Sequence, residues 1–362
     1  MKLMFIGPGA SWATADVAAG LRDGLTHHGV EIVDYALDTR IARSQSWLYY
    51  NWRQHKKTNP DIAKPNKVDV FLQAGRDAFW VAWWIKTFRG LDAVFLVSGM
   101  FVHPDVAMVM KASGLPIFVL FTESPYDQEK ELAFAQIVDG CWTNERSAVD
   151  AFRRVNPNSG YLPHAWHAAR HLPGPQPGDE ALPSHDVVFV GSAFTERVEW
   201  LSAIDWTGID LGLYGSWESL GSRHPLRRFV RGNQTDNVRT AALYRRAKIG
   251  LNLYRTSMGW GKQAPQIAHA ESLNPRAYEL AACGAFHVST YRAEVPEIFG
   301  DLVPTFTSPA EAEDVIRTWL ANPAGRADVA AQLPACVAES SWRNRATAVI
   351  GDLQTLLQRW AA

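Results

Sequence analysis

Apolar and polar positions along this chain follow one another as strand, loop, helix and strand. Lys2–Gly7 is a short apolar run that ends in glycine. Asp16–His27 then carries apolar residues at helical spacing, Val17, Leu21 and Leu25, and Gly29 closes it. Glu31–Ala36 reads as the next strand, which marks a parallel α/β unit. Asp69–Leu72, Ala93–Val97 and Leu115–Phe121 read as further buried strands, with a helix over Pro104–Ser113. Helices over Gln128–Val138 and Glu145–Val155 flank a short strand at Gly140–Thr143. The pattern predicts one doubly wound domain over residues 1–165.

The texture changes after Asn156. Pro157, Pro163, Pro173, Pro175, Pro177 and Pro183 exclude a helix or a central strand, and residues 166–185 are expected to be a linker. A second α/β series then runs over 186–340. Its strands are expected at Asp186–Val190, Ile209–Tyr214, Ile249–Leu253 and Phe286–Ser289. Its helices are expected at Thr195–Ile204, Asn237–Ala247, Pro275–Cys283 and Pro309–Ala321. Residues 341–362 form a last amphipathic helix, free to cross back to the first domain. The expected architecture is two Rossmann-like doubly wound domains facing a cleft. Ligands of such sheets bind beyond the carboxyl ends of the strands, so residues just after strands are the candidates.

Bulk properties narrow the picture. A chain of 362 residues exceeds one ordinary core and fits two domains. With a net charge of -1, attraction to nucleic acid or membrane has to come from a local patch. Cys141, Cys283 and Cys336 match no zinc or redox spacing and read as reduced, buried thiols of a cytoplasmic protein. The N-terminus lacks the pattern of a signal peptide. The most apolar stretch, Ala93–Phe121, is broken by His103, Asp105 and Lys111 and cannot span a membrane. Fifteen tryptophans point either to buried aromatics or to a stacking surface for a ring-shaped ligand.

The densest chemistry lies at Glu271-Ser-Leu-Asn-Pro-Arg-Ala-Tyr-Glu279. Seven residues separate the two glutamates, and Pro275 suits a first helical turn. A helix N-terminus offers free N–H groups and a partial positive charge to a diphosphate. An ionised carboxylate one turn inside can accept both hydroxyls of a ribose. Read without context, the pair is equally two solvated glutamates flanking a helix.

With its surroundings, the sequence resembles the two-domain GT-B glycosyltransferases that carry an E-x7-E motif. Glu279-Leu-Ala-Ala-Cys-Gly284 is similar to their motif helix. The closer resemblance is to CgeB-like glycosyltransferases of spore-coat clusters and of actinobacterial and phage genomes. It is carried by Thr122-Glu-Ser-Pro-Tyr126, Thr143-Asn-Glu145, Tyr161-Leu-Pro-His-Ala165 with His171 and Pro173, and Asp186-Val-Val-Phe-Val-Gly-Ser192. The likeness extends over roughly 117–322. It implies a nucleotide-sugar donor, such as a UDP-sugar, bound by the C-terminal domain, with a hexosyl or pentosyl group transferred. Glu279 is expected on the ribose and Glu271 near the sugar. Gly191 and Ser192 are expected by the phosphates, with Asn274, Arg276 and Arg197 as donors. Tyr214 and Gly215 are expected to frame the base, with Tyr254 at another strand end. The glycine-rich turn that often follows the first glutamate is replaced by Ser272-Leu273-Asn274, and Lys262 is the nearest lysine in sequence.

In the N-terminal domain, Gly7-Pro8-Gly9-Ala10-Ser11 follows the first strand. As a dinucleotide fingerprint it lacks the third glycine, where Trp12 stands. Gly9 and Ser11 are alternatively an acceptor or phosphate loop, or a plain strand–helix turn. Glycosyl transfer needs leaving-group stabilisation and, with inversion, a base on the acceptor. Glu123 and Asp127, just after a strand, are the first candidates and His103 the next. No metal-ligand cluster stands at a strand end, so a metal-independent transfer without cofactor is expected.

Arg40–Asn59 contains Arg40, Arg43, Arg53, Lys56 and Lys57 among Trp47, Tyr49, Tyr50 and Trp52, with no acidic residue. Such interleaving suits a nucleic-acid acceptor, for instance a modified base in phage DNA, and equally a glycan surface or a solvated helix. Phe79–Trp84 is expected in the core. Two other functions remain open at this level: an NAD-type oxidoreductase, motivated by Gly7 and Gly9, and a nucleotide-sugar-binding protein without catalysis.

Overall fold

The computed structural model describes residues 1–8, 14–232, 235–257 and 269–361. The chain divides into two compact units, Met1–Pro163 with Arg343–Ala362, and His164–Trp342.

Unit 1 holds six strands: β1 (Lys2–Ile6), β2 (Glu31–Tyr35), β3 (Ala93–Val97), β4 (Ile117–Phe121), β5 (Gly140–Thr143) and β6 (Ser159–Tyr161). All neighbours are parallel, in the order β2-β1-β3-β4-β5-β6. Parallel strands covered on both faces need continuous apolar sequence, which Ala-Val-Phe-Leu-Val of β3 and Ile-Phe-Val-Leu-Phe of β4 supply. The helices are α1 (Ala15–His27), α2 (Leu37–His55), α3 (Lys67–Arg89), α4 (Pro104–Ala112), α5 (Gln128–Ala135) and α6 (Val149–Val155).

The strand expected at Asp69–Leu72 is instead the start of α3. Its Val-Asp-Val-Phe-Leu run has strand composition, but a capping box decides the local structure. The Asn66 side chain accepts from the N–H groups of Val68 and Asp69, and the Asp69 carboxylate accepts from the Asn66 N–H. Phe79–Trp84 is core only in part: Ala82 is fully buried and Phe79 and Val81 pack against the core, but Trp80, Trp83 and Trp84 are exposed.

Unit 2 holds β7 (Val187–Val190), β8 (Leu211–Tyr214), β9 (Val230–Gly232), β10 (Ile249–Asn252), β11 (His287–Thr290) and β12 (Thr305–Phe306). Its helices are α7 (Thr195–Ala203), α8 (Asn237–Arg246), α9 (Pro275–Ala282), α10 (Glu294–Phe299), α11 (Pro309–Leu320) and α12 (Pro323–Cys336). The parallel sheet is ordered β12-β11-β10-β7-β8-β9. Numbered within the unit this is 3-2-1-4-5-6, so the strand order reverses between β7 and β10, where open α/β sheets take their ligands.

The last helix, α13 (Trp342–Ala361), belongs with unit 1 as expected. Asp352 accepts from the Trp142 indole at 2.9 Å, and Arg343 pairs with Asp23 at 3.2 Å. Among the described residues, no helix is long and apolar enough to cross a membrane. Cys141 and Cys283 are buried, and burial pushes both thiols up to about 12; Cys336 is half-buried rather than buried.

Residues 166–185, expected to be a linker, run irregularly and mostly exposed along unit 2, anchored at His167, His171, Asp179 and His185. Asp179 and Arg245 on α8 form a buried two-pronged ion pair at 2.6 and 2.7 Å. His171 is buried against Asn237 at 3.2 Å, and burial lowers its pKa to about 4, so it is neutral in the fold. Proline made this segment irregular without making it loose. Asp179→Ala leaves a buried guanidinium unpaired and is expected to lower the stability of unit 2 by about 3 kcal/mol or more in chemical denaturation. A loss below 1 kcal/mol would mean that the pair is not buried in solution.

Candidate functional site

The carboxyl edge between β7 and β10 is where unit 2 concentrates polar side chains. It begins with a close approach of two loops. The Gly191 N–H donates to the Tyr214 carbonyl and the Ala193 N–H to the Ser216 carbonyl, both at 2.9 Å. Gly215 adopts φ +107°, and a Cβ there would run into the Gly191 carbonyl. A Cβ on Gly191 would stand 2.6 Å from an Arg276 nitrogen. Gly215 is therefore required for conformation and contact, whereas a side chain at Gly191 would have to displace the Arg276 guanidinium.

Arg276 lies in the first turn of α9. Its Nη1 donates to Asn252 Oδ1 at 3.0 Å and its Nη2 to the Val190 carbonyl, while the guanidinium covers the Phe189 ring at 4.7 Å. Asn252, fully buried at the end of β10, also exchanges amide hydrogen bonds with Asn274 at 2.9 and 3.2 Å. Asn274 Oδ1 in turn accepts from the Ala277 N–H at 3.1 Å and caps α9. All the hydrogen bonds of Arg276 thus reach neutral oxygens. Its Nε is buried with no hydrogen-bond partner among the described residues. A positive charge held by neutral acceptors at a helix N-terminus has the chemistry to attract an anion.

The preceding loop is clamped by a residue that pattern reading passed over. Glu294, buried at the start of α10, accepts from the Leu273 N–H at 2.9 Å and from the Ser272 hydroxyl at 3.3 Å. Its own N–H donates to the Glu271 carbonyl at 3.1 Å. Glu279 is buried one turn into α9, and Tyr244 lies beside it. Burial, and after it the Glu279 charge, raises the Tyr244 phenol above the usual tyrosine range.

A cavity of about 300 Å³ opens beyond β10, β11 and β12, lined by Arg197, Leu253, Tyr254, Thr290, Tyr291 and Phe306 among others. Glu196 at its rim accepts from the Thr256 and Ser257 N–H groups at 3.3 Å each. Burial raises the Glu196 carboxyl, but these hydrogen bonds outweigh it and keep the group below the usual carboxylate range.

The expected donor residues therefore fall into two sets. Gly191, Gly215, Asn274, Arg276 and Glu279 gather at the β7–β10 edge, with Glu271 held in its loop and Ser192 following Gly191. Arg197 and Tyr254 line the cavity, and Arg197 covers Phe194 at 5.0 Å and donates to the Ser192 carbonyl at 3.3 Å. Tyr214 is a correction. Its ring is core, and its hydroxyl meets His185 at 2.9 Å instead of framing a base. Lys262 lies outside the described residues.

In unit 1, Gly9 and Ser11 also lie outside the described residues. The ends of β3 and β4 carry the chemistry. Ser98, at φ +70° directly before Gly99 at φ +65°, is a non-glycine residue in the left-handed region, a strain that concentrates at functional sites. Thr122 Oγ1 is buried with no hydrogen-bond partner among the described residues. Glu123 is half-buried, and its N–H donates to Glu131 at 2.8 Å. The Ser124 hydroxyl also bonds the Glu131 carboxyl. Burial pushes Glu131 up to about 8, and the Glu123 charge adds to this against the pull of those hydrogen bonds. Glu131 was not singled out in the sequence because it sits inside a helix of ordinary polar composition. Asp127 pairs with Lys130 at 2.7 Å, and His103 caps α4, its Nδ1 accepting from the Asp105 N–H at 3.2 Å. Both of these behave as local structural groups. Among the described residues, no cluster of metal-ligating side chains is present.

Known proteins resemble this chain in part of its sequence and in its fold. The family described as "Glycosyl transferase-like" matches residues 197–351, most of unit 2. No curated protein sequence matches the chain. Among solved structures, α,α-trehalose 6-phosphate synthase from Burkholderia multivorans is similar at a TM-score of 0.59 and 12% identity, over 99% of this chain and 98% of that one. The enzyme from Burkholderia vietnamiensis gives 0.60 and 13%, over 98% and 100%. A structure described as trehalose-6-phosphate from E. coli bound with UDP-2-fluoro glucose gives 0.57 and 12%, over 98% and 99%. At such identities the likeness is one of fold, and the chain has the GT-B fold of two Rossmann-like units.

The Glu131 shift has a consequence for stability. A folded pKa raised from 4.5 to about 8 favours the fold below pH 4.5 and loses that contribution as pH rises through 8. Glu131→Gln mimics the protonated acid. It is expected to match the wild type at pH 4.5 and to melt at a higher temperature at pH 8.5. His171 and His287, both lowered to about 4, affect both proteins alike and cancel in the difference. A difference in melting temperature that does not change with pH would show that Glu131 is ionised throughout.

Proposed function

We propose that this chain is a nucleotide-sugar-dependent glycosyltransferase whose C-terminal unit binds a UDP-sugar. The observation that carries the reading is Arg276, a guanidinium held by neutral oxygens beside the first turn of α9, at the point where the strand order reverses. Three further features support it. Gly191 and Gly215 leave the backbone open to close approach. Residues 197–351 match a glycosyl transferase-like family. A protein of the same fold is described as bound with UDP-2-fluoro glucose.

In this reading Arg276 and the N-terminal end of α9 hold the diphosphate, and Glu279 accepts the ribose hydroxyls. Glu271 faces the sugar. The acceptor hydroxyl attacks the anomeric carbon, and the bond from that carbon to the diphosphate oxygen breaks. UDP leaves with the electron pair, its charge stabilised by Arg276. Glu123 is the group proposed to take the acceptor proton, with the buried Glu131 holding the Glu123 backbone in place. The transfer is proposed to need no metal, the phosphate charge being met by the guanidinium and the helix N-terminus. The kinship with CgeB-like enzymes is the finer form of the same proposal.

Calorimetry with UDP, dUDP and NAD separates the alternatives. The wild type is expected to bind UDP, to bind dUDP more weakly, and to ignore NAD. Arg276→Ala is expected to weaken UDP by roughly 10- to 100-fold, the range of one charge-assisted hydrogen-bonding group. Glu279→Gln is expected to narrow the gap between UDP and dUDP. Binding of NAD in place of any nucleoside diphosphate would overturn the reading in favour of an oxidoreductase. Tight UDP-sugar binding with neither transfer nor hydrolysis would leave a binding protein without catalysis.

A further inference from the structure

Helix α3 is sorted in reverse for a helix in water. Its inward face is built from Ala74, Ala78 and Ala82, all fully buried, with Val70 and Ile85. Its outward face carries Trp80, Trp83, Trp84 and Phe88, which are 57%, 39%, 46% and 66% exposed. Burying alanine removes little apolar area from water, while each indole left outside keeps a large one there. An amphipathic helix of a freely soluble surface has the opposite arrangement. Positions 80, 83, 84 and 88 fall on one side of the helix. Trp80 and Trp83 touch edge to face at 5.9 Å, and Trp84 meets Phe88 at 5.7 Å, so the band consists of two ring pairs on one side of the helix. Helix α2 adds Trp47 and Tyr50, which are also exposed.

The charge around this band is one-sided. Residues 37–89 contain ten Lys and Arg against four Asp and no Glu, in a chain whose net charge is -1. Between α2 and α3 lies a recess of about 400 Å³ lined by Arg40, Arg43, Ser44 and Trp47 from one helix and by Asp77 and Trp80, among others, from the other. Ser44 is buried in its wall, and its hydroxyl has no hydrogen-bond partner among the described residues. Arg43 makes no ion pair among the described residues, and Arg40 covers the Tyr35 ring at 5.3 Å. Asp77 accepts from the Gln73 amide at 3.2 Å. The recess thus offers two guanidinium groups and an unsatisfied hydroxyl beside the aromatic band.

We propose that the α2–α3 hairpin docks on the surface of an anionic lipid bilayer, with a headgroup phosphate in the Arg40–Arg43–Ser44 recess. Tryptophan and tyrosine prefer the level of the headgroups, where one end of the ring is apolar and the other wet. Basic residues beside an apolar face add attraction to anionic lipid. The ring geometry argues against stacking on nucleic-acid bases, because edge-to-face and tilted rings turn towards each other and offer no run of parallel platforms. The contact is peripheral, since no described helix can cross the bilayer. It is independent of the donor site, which lies in unit 2.

The test is co-sedimentation of the full chain with vesicles, and it requires no nucleotide. The protein is expected to pellet with phosphatidylcholine–phosphatidylglycerol vesicles at least about tenfold better than with phosphatidylcholine alone, and less as salt rises. The triple variant Trp80→Ala, Trp83→Ala, Trp84→Ala is expected to lose binding while still melting in one cooperative transition, because the inward face of α3 is untouched. Arg40→Glu with Arg43→Glu is expected to remove the preference for anionic vesicles. No pelleting, equal pelleting with both vesicles, or undiminished pelleting of the triple variant would overturn the proposal. A single-stranded DNA that displaces the protein from vesicles at equal phosphate concentration would overturn it in favour of a nucleic-acid surface.

Discussion

Arg276 is the interaction on which the geometry of unit 2 turns. One guanidinium joins the end of β7, through the Val190 carbonyl, to the end of β10, through Asn252. Asn252 is tied to Asn274, and Asn274 caps the helix from which Arg276 projects. The loop closes on itself, so moving any member moves the others. It also explains a glycine. A side chain at residue 191 would have to push the arginine out of the space it occupies. Among the described residues, holding a cation this way gives it no hydrogen bond to a carboxylate and leaves its Nε–H unsatisfied, an arrangement unfavourable for stability alone. Proteins keep such groups where a ligand completes them.

The same logic separates what was legible in the sequence from what was not. Parallel strands buried on both faces announce themselves as apolar runs, and β1, β3, β4 and β10 were readable for that reason. The helix after Asn274 was readable because a capping amide and a proline stand where a first turn needs them. Helix α3 was misread because its first turn has strand composition, and only the side-chain geometry of Asn66 and Asp69 reveals the helix. The anchors of segment 166–185 were not legible for a related reason. Proline excludes regular structure but says nothing about the Asp179–Arg245 pair, whose partners are far apart in sequence.

The site shows the same limit. Glu271, Asn274, Arg276 and Glu279 are candidates from one short motif, so they could be singled out together. Glu294, Glu196 and Glu131 were not singled out, because a carboxylate inside a helix looks like a solvated one until its long-range donors are known. Conversely, Tyr214 and His103 looked exposed to a ligand from their place after a strand, yet one is core and the other a helix cap. Position after a strand marks where a site lies, and hydrogen-bond partners decide which residues belong to it.

The central claim, that a nucleoside diphosphate sits at the β7–β10 edge of unit 2, is tested most directly by hydrogen exchange on the full chain with and without saturating UDP. The account predicts slowed exchange in two segments, 191–197 after β7 and 271–279 through the first turns of α9. Protection confined to unit 1, or none in either segment despite measured binding, would contradict it.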